Sequence, residues 1–132
     1  MNYSRESEEL YNQAIAIIEE DVDFERWDEA EELLMQAAVA GNGDAMYRLG
    51  LACLEDGGTD YEGAVAWYQK AVEVGQGEAM KELGLCYLSG IVVEQDVDKA
   101  IGLLENAAAM EVEGAEEMLK EIKVENRNVE ED

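Results

Sequence analysis

GEAMKELGLCYL, at residues 77–88, repeats GDAMYRLGLACL, at residues 43–54, with seven of the twelve positions identical and an offset of 34. A match of that length at a fixed spacing marks a repeated structural unit. The register continues beyond the quoted stretch: Ala30, Ala64 and Ala100 correspond, as do Ala37, Ala71 and Ala107, in steps of 34 and then 36 residues. The two extra residues fall where LEDGGTDYEGA becomes LSGIVVEQDVDKA. Insertions that land in turns and spare the apolar positions are the behaviour of helical-hairpin repeats.

Each half of the unit has a helical period: Met46, Leu49, Gly50 and Cys53 in one, Ala64, Trp67, Tyr68 and Ala71 in the other. Asp60 and Asp96 stand where an N-cap accepts the first free amide hydrogens, and Gly41, Gly75 and Gly90 where a helix stops in a left-handed conformation. The expected helices are roughly 4–20, 27–40, 43–55, 61–74, 78–88, 97–110 and 113–124. That is an all-α chain of three hairpins and a closing helix, with a single domain over residues 1–124 and an acidic, frayed tail over 125–132. Gly50 and Gly84 lie inside helices, where glycine costs about 1 kcal/mol relative to alanine. Their recurrence points to close helix approach within the hairpin, and Ala16 is expected at the same place in the first hairpin.

The formal charge of −24, from 33 Asp and Glu against 9 Lys and Arg, is spread along the chain. Such a surface repels nucleic acid and anionic membranes and attracts a basic partner. The N-terminal MNYSRESEEL has no apolar run for secretion and no run is long enough to span a membrane, so a cytoplasmic location is expected. Cys53 and Cys86 make no disulfide framework and sit in apolar helical patterns as small hydrophobes.

The absence of histidine removes the commonest general base and the commonest transition-metal ligand together. No Gly-Lys-Ser/Thr phosphate loop and no EF-hand ligand order is present. The reading is a non-enzyme with no catalytic residues, no cofactor and no metal. Trp27, Trp67, Tyr61, Tyr68 and Tyr87 invite an aromatic cage for a cation. Their periodic placement points instead to packing, with Trp67 and Tyr68 on the apolar face of a second helix and Trp27 and Tyr61 at aligned helix starts.

The pattern of Ala79, Leu83-Gly84, Tyr87, Gly90, Val93-Glu94-Gln95-Asp96, Lys99-Ala100 and Ala107-Ala108 resembles a Sel1-like repeat, a relative of the tetratricopeptide repeat. GDAMYRLG with WYQKAVEVG, residues 67–75, resembles the same consensus, and the likeness spans about residues 24–122. Val92 departs from it by replacing the usual second glycine of the turn, the middle turn is two residues shorter, and the first hairpin keeps mainly its second-helix pattern. The resemblance implies a right-handed superhelical solenoid of antiparallel hairpins that acts as a non-catalytic adaptor.

In the related tetratricopeptide repeats the first helices line a concave face that receives peptides. Carried over, that geometry implies a groove of Asp44, Tyr47, Leu51, Leu54 and Glu55, continued by Glu78, Lys81, Leu85, Leu88 and Ser89. Gln13, Ile17 and Glu20 extend it on one side and Glu117 and Glu121 on the other, while Arg48 and Lys81 break its acidic field. An apolar floor with an acidic rim suits a protein or peptide segment that is basic and partly apolar. The alternative for Leu51, Leu54, Leu85 and Leu88 is burial against their own hairpin partners. The expected oligomeric state is a monomer or weak dimer. The alternative function is a small acidic inhibitor, immunity protein or antitoxin that occludes a basic site on one cognate protein.

Overall fold

Among the described residues, seven α-helices form where the apolar period places them: α1 (Arg5–Glu20), α2 (Trp27–Val39), α3 (Gly43–Ala52), α4 (Tyr61–Glu73), α5 (Gly77–Ser89), α6 (Val97–Ala109) and α7 (Ala115–Glu131). A single 3-10 turn, Glu55–Gly57, follows α3, and no strand occurs among the described residues. The computed structural model describes residues 5–21 and 23–131, the side chains of residues 56 and 126–131 excepted. Ser4, the expected start of the first helix, lies outside them. The last helix differs most from expectation, running to Glu131 rather than ending at residue 124 where a tail was expected to begin.

The chain divides into two compact units, Met1–Gln76 and Gly77–Asp132, a division that falls inside the span read from sequence as one domain. In the first unit α1 packs on α2, α3 on α4, and α2 against α3; in the second, α5 packs on α6 and α6 against α7. Leu34 and Tyr68 are buried in the first unit. Leu104, Leu119 and Ile122 form the core of the second, with Leu88, Val97 and Ile101 packed against them.

Helix ends are built alike in each repeat. The amide of Asn42 donates to the Ala37 carbonyl at 3.0 Å, that of Gln76 to Ala71 at 3.0 Å, and that of Val112 to Ala107 at 3.0 Å. The preceding residues, Gly41, Gly75 and Glu111, are left-handed at φ 97°, 84° and 61°, and their amides donate to Ala38, Val72 and Ala108. This is the paired closure that satisfies the free carbonyls of a helix end. The expected stop at Gly90 is also left-handed, at φ 71°, with the Gly90 and Ile91 amides both donating to Cys86. Helix starts follow the sequence equally well. Asp60 accepts from the Gly63 amide at 2.9 Å and Asp96 from the Lys99 amide at 3.0 Å, each satisfying a donor that the helix leaves free.

The glycines inside the helices do what their recurrence suggested. A Cβ on Gly50 would meet Tyr68 Cε1 at 2.6 Å, and one on Gly84 would meet Leu104 Cγ at 3.2 Å. Both sit on the face that the second helix of the hairpin covers. Ala16, expected at this place in α1, is exposed, and the fully buried small residue is Ala14. The cause is turn length: Ala14 precedes Ala30 by 16 residues, as Gly84 precedes Ala100, whereas Gly50 precedes Ala64 by 14. Aligning at 34 carried the short middle turn back into a hairpin that has the long one.

Candidate functional site

The same two-residue slip displaces the site residues expected on α1. Gln13 is exposed, but Ile17 is only 6% exposed and belongs to the core, not to a groove. At the corrected offset of 36, the counterparts of Tyr47, Leu51 and Leu54 are Tyr11, Ile15 and Ile18, and all three are half-buried. The sequence held a signal for this register, because it alone pairs Tyr11 with Tyr47. On α3 and just after it, Tyr47, Leu51 and Leu54 are likewise half-buried. Tyr47 leans on Tyr68 with ring centroids 6.1 Å apart, so one side of its ring belongs to the hairpin core.

Asp44 is half-buried and its carboxylate accepts from Gln76 Nε2 at 3.2 Å. This bond ties the first turn of α3 to the helix end that follows α4. Asn42 makes a similar tie: its Oδ1 caps α3 by accepting from the Ala45 amide at 3.0 Å, and its Nδ2 donates to the Ser7 carbonyl of α1 at 3.4 Å. At 1% exposure Asn42 has no access to water as a substitute partner. The first helices of this unit are therefore fixed at their starts by buried polar bonds.

In the second unit, Glu78 is exposed and Lys81 and Leu85 are half-buried on α5. Leu88 packs against the core of Leu104, Leu119 and Ile122, so burial against its own hairpin accounts for it. Lys81 is more than a break in an acidic field: its Nζ donates to the Glu113 carbonyl at 3.0 Å, where the chain turns from α6 to α7. Other cations have local roles as well, with Lys70 over Trp67 at 4.9 Å, Lys99 over Tyr87 at 4.8 Å, and Arg26 forked onto Glu29 at 3.0 and 3.2 Å.

Burial pushes both thiols up from the ordinary cysteine range, with Asp60 and its charge adding to Cys53 and Glu82 to Cys86. A raised pKa means less thiolate at neutral pH and a poorer nucleophile. The Cys53 thiol lies 3.4 Å from the Leu49 carbonyl, to which it donates. Among the described residues no group of three or more His, Cys, Asp or Glu is placed to hold a metal ion, and no helix is long and apolar enough to cross a membrane.

Hairpins of 34 to 36 residues, small buried residues at the helix crossings and repeated left-handed closures define a helical-repeat protein. The Sel1 repeat model matches residues 43–75 and 77–112, just over half the chain, and the chain belongs to the Sel1 repeat family. Each match starts at the first residue of a first helix, Gly43 or Gly77. DAP3-binding cell death enhancer 1 of Rattus norvegicus is 32% identical over 91 residues, covering 69% of this chain and 18% of that protein. The Mus musculus protein of the same name matches with the same identity and coverage. The chain thus spans less than a fifth of the length of these curated relatives.

Among solved structures, a Sel1 repeat protein from Oxalobacter formigenes superposes with a TM-score of 0.76 at 31% identity, over 88% of this chain and 34% of that one. The c5321 protein, a protective antigen present in uropathogenic Escherichia coli strains that displays an SLR fold, gives 0.73 at 25% identity, over 88% and 25%. The fold class is an all-α helical solenoid. Repeat proteins of this family generally mediate protein–protein interaction, and their scaffolds are generally non-catalytic.

Proposed function

We propose that the chain is a non-catalytic adaptor whose first helices receive a basic, partly apolar segment of a partner protein. The observation that carries this reading is the row of half-buried apolar side chains at matching positions of α1 and of α3 with the residues just after it: Tyr11, Ile15 and Ile18, then Tyr47, Leu51 and Leu54. Leucine and isoleucine that the core does not fully cover retain apolar surface that a ligand desolvates at a gain of about 25 cal/mol per Å². The net charge of −24 supplies the second half of the recognition, steering a cationic segment toward the surface and raising its association rate. Leu85 offers the same chemistry on α5, flanked by Glu78 and Glu82.

The test is capture from native lysate at low salt on immobilised chain, followed by elution in a salt gradient, with an Ile15→Ser/Leu51→Ser double variant as the parallel bait. A partner retained by the parent, released by salt and lost by the folded variant supports the reading. Equal retention by both baits, with helicity confirmed by circular dichroism, overturns it. A single tight, one-to-one complex with one basic protein would instead identify an inhibitor of that protein.

A further inference from the structure

The turn between α1 and α2 holds an aromatic in an unfavourable way. Phe24 is left-handed at φ 60° and 71% exposed. A bulky residue gains nothing from that backbone region, where Cβ crowds the following carbonyl, and an exposed ring recovers none of the cost through burial. The turn is nevertheless well tied. The Asp21 carboxylate accepts from the Glu25 amide at 3.2 Å and the Arg26 amide at 2.6 Å, and the Trp27 amide reaches the Phe24 carbonyl at 3.4 Å.

Phe24 and Trp27 line an open cavity of about 240 Å³, together with Glu25, Asp28 and Glu55. The same two residues, with Ile17, Ile18, Asp21 and Ala30, line a small void of about 20 Å³. The cavity therefore has two aromatic residues, the exposed Phe24 and the half-buried Trp27, three carboxylates, and no cation among its lining residues. Arg26, the nearest cation in sequence, is forked onto Glu29. The volume lies below the usual range for drug-sized ligands and suits the head of one side chain.

We infer that this cavity takes the guanidinium of an arginine from a partner protein. A guanidinium stacks flat on an aromatic ring, is less strongly hydrated than an ammonium, and presents five donors to several carboxylates at once. The start of α2 opposes a cation through the helix dipole, and the three carboxylates outweigh it. This inference holds whether or not the first-helix face binds a segment of the same partner.

The experiment titrates the isotope-labelled full chain with acetyl-Gly-Arg-Gly-amide and follows it by NMR. Saturable shifts of the Trp27 indole and of the amides of residues 24–28 and 55 are expected, with the neutral citrulline peptide and the Glu55→Gln variant each weaker by about tenfold or more. Phe24→Gly separates binding from folding. Glycine accepts φ 60° freely, so this variant should unfold at no lower temperature than the parent while losing the arginine peptide. The inference is overturned if Phe24→Gly binds as the parent does, if the shifts spread over the acidic helices without saturating, or if choline or the lysine peptide binds as tightly as the arginine peptide. Since Leu51→Ser should leave this titration unchanged, failure here is distinguishable from failure of the first-helix reading.

Discussion

Gly50 and Gly84 occupy one position of two hairpins, yet they should not tolerate the same replacement. A Cβ on Gly50 would press on the ring of Tyr68, which is 2% exposed and has no room to turn, whereas on Gly84 it would touch the branched end of Leu104 at 3.2 Å. Gly50→Ala is expected to destabilise by about 1–3 kcal/mol through overpacking, while in Gly84→Ala the better helix propensity, about 1 kcal/mol, roughly cancels a small rearrangement. Urea titration of both variants checks the difference. Two other residues should gain from glycine. Val92 at φ 66° and Glu111 at φ 61° are left-handed without being glycine. Net of the entropy glycine adds to the unfolded chain, Val92→Gly and Glu111→Gly should each stabilise by about 0.5–1 kcal/mol, with Val92 the larger because its side chain is β-branched. Unchanged or lower urea midpoints would refute this. Val92 was legible in the sequence as a residue standing where the repeat has glycine. Glu111 was missed, although stepping 36 residues from Gly75 leads to it.

Helices were legible to within a residue or two wherever capping chemistry marks their ends. Asp60 and Asp96 start helices and Gly41, Gly75 and Gly90 stop them because a side-chain acceptor and a left-handed glycine each solve a hydrogen-bonding problem that no apolar period addresses. The end of α7 was misread for the complementary reason. EIKVENRNVEE is polar, but it contains no glycine or proline to end a helix, and Glu, Lys and Arg propagate one well. Ile17 of α1 falls in the core rather than on the surface because a helix face shifts by 200° over two residues, so a small error in turn length exchanges core for surface. Capping also yields a prediction for whole elements. Asn42→Ala should cost about 2 kcal/mol, since it removes both the cap of α3 and the buried bond to the Ser7 carbonyl, while Asp96→Ala, at an exposed cap, should cost about 1 kcal/mol. Equal losses by thermal or urea unfolding would show that the contact to α1 adds nothing.

At the scale of the whole chain, charge works against compactness. The described ion pairs, Arg5–Glu9 at 3.9 Å, Arg26–Glu29 at 3.0 Å and Lys120–Glu116 at 3.6 Å, are all local and exposed, so each contributes little. With 33 Asp and Glu against 9 Lys and Arg, the net repulsion of −24 charges dominates at long range and is weakened by screening. Raising sodium chloride from low to moderate concentration should raise the melting temperature followed by circular dichroism. A fall would mean that the few attractive pairs outweigh the field. Repeat spacing and helical period were enough to read the fold class, and the family was read from the likeness of the repeated Gly, Ala and aromatic positions to a known consensus. They were not enough to divide Leu85 from Leu88, because the two lie three residues apart on one helix, both are half-buried, and only the packing of Leu88 against the Leu104 and Leu119 core sets it apart.

The closures at Gly41, Gly75 and Glu111 are made by main-chain amides and carbonyls. Apart from the left-handed residue itself, where glycine is favoured, their wiring does not depend on which side chains surround it. A recombination break placed there would deliver a unit that terminates correctly whatever sequence precedes it. The number of repeats becomes something that gene duplication and slippage can alter in whole steps of 34 or 36 residues, while the faces presented by the inserted helices diverge afterwards under separate selection.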